Sequence, residues 1–423
     1  MIDGPKHQMA KECCINLTVN VAEREPAGNA RVVVADSIDD PNRTCVRART
    51  LGGAPSKLGL GVSFSGRWRS PKWTRILAIC ASVTCIAFTI PQQAQIREAS
   101  TALISSKGIA LNPETGRVYA VETSRGSVSV FDPKTKSISS VCVGAGPVAI
   151  AVNAATNRIY VANSKSGSVS VIDGKNDSVI ATLTVGSRPY VVAVNPATNK
   201  IYVSNTFSNL ITVIDGATNS ITTVKAGSAD TIAVDSRLDK VYLLGYEDTN
   251  LTVLNSAPSI VGKIPVAIHA WGIALSEMTS TVYVTRTGSS ELVVVDEVSG
   301  LVKTVPTGAI PCAVAINPAT NTVYVVNYGD DTVTVIDGAR RAVVATVKVG
   351  NRPQAIAVDP KRNRVYVANT HSDDVTVIDG ARNSVLKTLN AGKNPYAVTI
   401  DPNSGQLYVV SYGDPSLVII DSR

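Results

Sequence analysis

The chain has 423 residues and a formal net charge of +7. Twelve Lys/Arg against seven Asp/Glu in residues 1–75 supply five of those charges and leave +2 for residues 76–423. The excess belongs to the N-terminal quarter and does not mark a nucleic-acid-binding surface. Cysteine use excludes a disulfide framework. Cys13, Cys14, Cys45, Cys80 and Cys85 lie before residue 92, and Cys142 and Cys312 fall in units too far apart to meet. Taken from the N-terminus, residues 1–66 carry no repeat and no clear periodicity, so a disordered tail or a misassigned N-terminal extension is expected there. Arg67-Trp68-Arg69-Ser70-Pro71-Lys72-Trp73-Thr74-Arg75 is basic, and Ile76 to Ile90 is apolar and uncharged for fifteen residues before Pro91. That is the layout of a secretory signal, with an apolar stretch of about 7–15 residues, and it is shorter than the about 20 residues of a stable span. Residues 67–91 are read as a signal peptide in preference to a membrane anchor, with membrane contact only through residues 76–90 if they stay uncleaved. The cleavage site is weak: Gln92-Gln93-Ala94 lacks the first small residue, and Val83-Thr84-Cys85 only faintly echoes a lipoprotein site. Because 66 residues precede a segment that belongs at an N-terminus, a true start nearer Val62 is expected, against a genuine cytoplasmic tail.

From residue 92 onward one tyrosine recurs eight times: Tyr119, Tyr160, Tyr202, Tyr242, Tyr283, Tyr324, Tyr366 and Tyr408, in steps of 40 to 42 residues. Short β runs at a period of about 40–45 residues are the signature of a β-propeller. Residues 147–186 show one unit. Val148–Val152, Arg158–Asn163, Ser168–Ile172 and Val179–Val185 are strands, rich in β-branched residues and in places strictly alternating. Asn153–Asn157, Ser164–Gly167 and Asp173-Gly174 are the turns between them. Four antiparallel strands with tight turns make a blade, which cannot bury both faces alone and must stack around an axis.

The last unit ends at Ser416–Asp421, a third strand, and lacks a fourth. Gln95–Ile104 stands where a fourth strand belongs, just ahead of the first unit, so this N-terminal strand is expected to complete the C-terminal blade and hide both edges. Eight motifs and one donated strand predict an all-β propeller of eight four-stranded antiparallel blades over residues 92–423. Seven would require the degenerate unit of Tyr242 or Tyr283 to lie outside the ring.

Tyr160-Val161-Ala162-Asn163, Tyr202-Val203-Ser204-Asn205, Tyr324-Val325-Val326-Asn327 and Tyr366-Val367-Ala368-Asn369 resemble the YVTN β-propeller repeat. The Val-Ile-Asp-Gly turns and Pro353-Gln354-Ala355-Ile356-Ala357-Val358-Asp359-Pro360 extend the resemblance, which covers about residues 96–423. It implies an exported bacterial or archaeal propeller of the kind found in surface-layer and periplasmic proteins, acting as a binding or scaffold module. Related propellers include lactonases and quinoprotein or copper-enzyme domains. Seven blades are usual in the family, and eight is a departure.

Two sets of residues stand out from the repeat. The column that opens the first strands holds Lys107, Val148, Tyr190, Asp230, Trp271, Cys312, Gln354 and Tyr396, while the positions that follow it are small, as at Gly108, Ala149, Gly272 and Ala313. Small residues let the innermost strands converge, and the diverse column forms a ring at the mouth of the central channel. Arg188 and Arg352 lie just outside it. Aromatic and guanidinium groups around a concavity suit a planar, polar or anionic ligand; the alternative is that these side chains simply plug the channel. The second set is Asp331, Asp374 and Asp414, in neighbouring turns, where clustered carboxylates suit Ca²⁺ or are ordinary solvated turn residues. No other cofactor is expected. His269 and His371 are the propeller's only histidines, which disfavours a multi-histidine metal site, and no haem, Gly-x-Ser-x-Gly or phosphate-loop motif appears. The residues favour a module that binds a ligand, a protein or a cell-envelope component in the periplasm, at the cell surface or outside the cell. A lactonase-like or other hydrolase at the channel mouth, with Asp230 and Arg188 or Arg352, is the alternative, and a structural surface-layer element a third.

Overall fold

The computed structural model describes residues 33–36, 47–50, 94–95, 108–206, 208–227, 229–411 and 417–421. The expected signal segment, Lys107 and Asp414 lie outside these residues. Val33–Asp36 and Arg47–Thr50 pair antiparallel. Everything else described forms eight four-stranded sheets, each a simple meander. They are numbered blades one to eight in chain order and begin at residues 109, 147, 189, 231, 270, 311, 353 and 395. The two degenerate units, blades four and five, are complete. Blade eight closes as the sequence predicts, though over a shorter stretch: Ala94–Gln95 forms its outer strand and pairs with Ile420 and Ile419. The ring shuts where the innermost strand of blade eight, Pro395–Ile400, meets that of blade one, Ile109–Leu111. Among the described residues no helix is long and apolar enough to cross a membrane.

Burial is greatest in the two middle strands of a blade. The second strand of blade two, Arg158–Asn163, is buried at every position after the first, whereas the outer strand, Ser178–Thr184, is mostly exposed. A strand buried on both faces sends alternate residues to opposite neighbours. Ile159 and Val161 join the core shared with blade one, and Tyr160 and Ala162 the core shared with blade three. Each repeat tyrosine therefore packs onto the following blade: Tyr202 falls with Leu243 and Leu254, Tyr283 with Val325 and Ile336, Tyr324 with Val367 and Ile378. Tyr408 crosses the closure to meet Phe131 of blade one, ring centroids 5.8 Å apart. Burying a side chain of this size contributes roughly 2–3 kcal/mol, so the tyrosines are interblade core, as their regular spacing implies.

The monotonous turns are structural too. Asn at the end of an innermost strand donates to the left-handed turn residue of the next blade: Asn112 to Asn157 (2.7 Å), Asn153 to Asn199 (2.8 Å), Asn195 to Asp239 (3.3 Å), Asn317 to Asn363 (2.7 Å). The glycine of each Asp-Gly turn makes room for that turn residue, because a Cβ on Gly380 would run into Asn363 Oδ1. Blade five shows the rule by departing from it. Ser280 stands in place of the asparagine, and Glu297 stands where blades two, three, six and seven have glycine, its N–H donating to Ser280 O at 2.9 Å.

The Asn that ends the YVTN motif braces the opposite end of the same strand. Asn163, Asn205, Asn327 and Asn369 donate their amides to Ser170, Thr212, Thr334 and Thr376 on the third strand, at 2.8 to 3.0 Å.

Candidate functional site

The innermost strands carry a common irregularity. Their pairing with the second strands slips between Pro147 and Ala149, Pro189 and Val191, Ala270 and Ile273, Pro311 and Ala313, Pro353 and Ala355, and Pro395 and Ala397. The skipped residues are Val148, Tyr190, Trp271 with Gly272, Cys312, Gln354 and Tyr396, the diverse column of the sequence. A β-bulge leaves its extra residue out of the ladder and re-aims the side chain. These positions are therefore released from the pairing that constrains the rest of the blade. The residue two before each bulge has positive φ in all six blades, as at Gly146 (62°), Arg188 (52°), Ile310 (51°), Arg352 (51°) and Asn394 (53°). In blade five it is His269 (63°).

Five of the column residues meet around one cavity of about 220 Å³: Tyr190, Asp230, Trp271, Cys312 and Gln354. Its wall is completed by small and aliphatic residues of the same strands, among them Thr231, Ile273, Ala355 and Val398. Gly272 permits the convergence, since a Cβ there would sit 2.9 Å from Cys312 O and 3.0 Å from Thr285 Oγ1.

The polar groups are held in place. Asp230 precedes the first strand of blade four, Thr231–Asp235. Its N–H donates to Leu244 O (2.8 Å), and its Oδ2 accepts the Tyr246 N–H (2.8 Å). Burial pushes the Tyr190 phenol up, and the Asp230 carboxylate adds to the effect. Gln354 Oε1 accepts the Thr370 hydroxyl at 3.0 Å. Burial pushes the Cys312 thiol up to about 12, which keeps it protonated and a poor nucleophile. Trp271 is 45% exposed and stands edge-on to Tyr246, centroids 5.7 Å apart at 86°. Tyr246 in turn packs on His269 at 5.0 Å. The sequence offers Tyr246 and His269 only as isolated loop residues. Their meeting depends on how two loops fold, and aromatic character beside a column tryptophan is the signal that could have linked them.

Other expected site residues lie elsewhere. Tyr396 is 0% exposed and belongs to the core between blades eight and one, so it does not line the cavity despite its place in the column. Arg188 and Arg352 also stand off the lining. The Arg188 carbonyl accepts the Thr206 N–H, and the Arg352 guanidinium lies 4.9 Å from the Tyr328 ring centroid. Among the described residues the cavity wall contains no arginine or lysine, and Lys107, the remaining cation of the anionic-ligand expectation, lies outside them.

The aspartates of the turns serve as braces. Asp331 Oδ1 accepts the Arg352 N–H at 2.8 Å, which with Lys348 nearby holds its carboxyl below the usual range. Asp373 does the same for the Asn394 N–H (2.8 Å), and Asp374 accepts the Asn369 amide (2.6 Å). Among the described residues no three His, Cys, Asp or Glu side chains are grouped to hold a metal ion, and Asp414, the third member of the Ca²⁺ expectation, lies outside them.

Residues 300–413 match the family model of the YNCE-like β-propellers, in line with the YVTN resemblance. No curated protein matches the chain. Among solved structures it is similar to "Dihydro-heme d1 dehydrogenase NirN in complex with DHE", at 14% identity and a TM-score of 0.63 over 74% of this chain and 72% of that one. It is similar to the Kuenenia stuttgartiensis hydrazine synthase at 17% identity and a TM-score of 0.53, covering 81% of this chain and 98% of that one. A chain of the mitotic checkpoint complex follows at 12% identity and a TM-score of 0.55, covering 87% and 99%. Identities this low carry the propeller fold alone, and the roles of these neighbours differ widely.

Proposed function

We propose that the chain is an exported binding module that takes a small ligand in the mouth of its central channel. The observation that carries this reading is the cavity of about 220 Å³ where Tyr190, Asp230, Trp271, Cys312 and Gln354 converge, all of them residues that differ from blade to blade on a scaffold that otherwise repeats. Individualised side chains at equivalent points of a repeat scaffold are where a solenoid or propeller builds a site. Export rests on the basic-then-apolar layout of residues 67–91 and on the YVTN resemblance. A binder is favoured over an enzyme because the one thiol among the described lining residues is kept protonated by burial and is not an activated nucleophile.

Trp271 makes the reading testable, since the only other tryptophans of the chain are Trp68 and Trp73. In the full chain carrying Trp68→Phe and Trp73→Phe, fluorescence reports the mouth alone. A panel of small cationic, neutral and anionic aromatic compounds is expected to include members that change this signal saturably without being consumed. A flat response across the panel would overturn the proposal, and turnover of a lactone that disappears in Asp230→Ala would replace it with a hydrolase.

A further inference from the structure

Given that the mouth is a ligand site, we infer that its ligand is a small organic cation, an ammonium group carried on an apolar body. The inference starts from the sign of the wall. Among the described residues Asp230 is the only charged one that lines the cavity. A second carboxyl is close by: Asp248, in the same turn as Tyr246, is pushed up first by burial and then by Asp230, against the opposing pull of Lys263. A carboxylate set among aliphatic walls acts through a lower effective dielectric than it would in water, so its pull on a cation is strengthened. An anion placed there would give up its hydration and meet a like charge, with no lining cation among the described residues to offset either cost.

The aromatic groups point the same way. Tyr190 and Trp271 both line the cavity with Asp230. Aromatic faces are negative, and an ammonium over such faces beside a carboxylate is a well-matched arrangement. The parts are fixed before any ligand arrives. Asp230 is bound to the backbone of Tyr246, and the Tyr246 ring abuts Trp271, so one turn sets the position of both the charge and the indole. Preorganisation of this kind removes an ordering cost from binding. Size limits the body: the cavity exceeds the about 150 Å³ that admits benzene and falls short of the about 300–1,000 Å³ of sites for drug-sized ligands. A single ring or short branched chain bearing the ammonium fits those bounds.

The test uses three probes with one body and different heads: benzylammonium, benzyl alcohol and benzoate, titrated into the full chain with Trp271 as sole tryptophan and by calorimetry. The wild-type cavity is expected to bind benzylammonium at least tenfold more tightly than benzyl alcohol, with no saturation by benzoate. Asp230→Asn keeps an acceptor for the Tyr246 N–H and removes the charge; it is expected to bring benzylammonium down to the affinity that the same variant has for the alcohol. The order of the three probes on the unsubstituted site is decisive even if that variant fails to fold. Benzyl alcohol binding as tightly as benzylammonium, or an ammonium affinity that survives Asp230→Asn, overturns the inference and leaves the mouth a ligand site. A preference for benzoate overturns it too, and would give Lys107 or Arg188 the leading role. Silence of all three probes overturns the inference, and only silence across the wider panel as well removes the site.

Discussion

Two tyrosines of the repeat offer a controlled comparison of the same deletion in two settings. Tyr119 and Tyr202 occupy equivalent positions and are both fully buried. The Tyr119 hydroxyl donates to Asp177 Oδ1 at 2.8 Å, and Arg117 Nη1 lies 3.1 Å from the other oxygen of that carboxyl. The Tyr202 hydroxyl has no hydrogen-bond partner among the described residues, and burial, with Asp239 nearby, pushes it up to about 12. Phenylalanine keeps the ring and its packing in either place, so only the hydroxyl is tested. A hydrogen bond to a charged group contributes about 1.5–3 kcal/mol net, and a buried polar group left unsatisfied costs about 1–3 kcal/mol. Tyr119→Phe should therefore lose about 2 kcal/mol, because Asp177 retains only Arg117, whereas Tyr202→Phe should be neutral or gain about 1 kcal/mol. Urea unfolding followed by circular dichroism, with unchanged slope in both variants, converts midpoint shifts into these differences. Equal losses in the two variants, or a larger loss at Tyr202, would refute the view that the tyrosines share a packing role and differ only in the polar end.

Three further outcomes follow from particular contacts. Gly380→Ala should destabilise by about 1–3 kcal/mol through overpacking against Asn363, and adding Asn363→Ser should recover part of the loss, since that pairing imitates Ser280 opposite Glu297; thermal melts of the single and double variants check both. Ile310 is a β-branched residue at φ 51° and is 42% exposed. Relief of about 1–2 kcal/mol of left-handed strain should outweigh the about 0.5–1 kcal/mol entropic cost of glycine, so Ile310→Gly should leave the melting temperature unchanged or raise it. Glu122 is buried with its Oε1 accepting the Ser129 hydroxyl at 2.9 Å, and burial pushes its carboxyl from 4.5 to about 7. The folded state then holds the proton more tightly than the unfolded state, so this stabilising term is whole below pH about 4.5 and is lost as pH rises through about 7. Glu122→Gln keeps the Ser129 contact and cannot ionise; it should gain up to about 3 kcal/mol over the parent at pH about 8.5 and nothing at pH about 4, as urea midpoints at the two pH values would show.

Much of the molecule was legible in the chain because its physics repeats. β-branched alternation located the strands, the eight tyrosines gave the blade number, and the unpaired third strand at Leu417–Asp421 announced the N-terminal strand that completes it. The channel column was legible for a related reason: eight otherwise similar strands differ at one place. What the sequence could not convey was direction. Tyr190 and Tyr396 occupy the same bulged position, yet one lines the cavity and the other turns into the interblade core. Arg352 looked like a ligand-binding cation from its place beside the column, but stacks on Tyr328. Residue type and register say which side chain a bulge releases; the local loop decides where it goes. The Tyr246–His269–Trp271 cluster was hidden for the same reason, since Tyr246 comes from a turn of blade four and must fold onto the entry to blade five that carries His269 and Trp271.

The most direct test of the account is diffraction from crystals of the chain grown or soaked with benzylammonium. The account predicts density for the ring between Tyr190 and Trp271, with its nitrogen within hydrogen-bond distance of the Asp230 carboxylate. A mouth filled by the Trp271 indole, or ligand density confined to other surfaces, would contradict it.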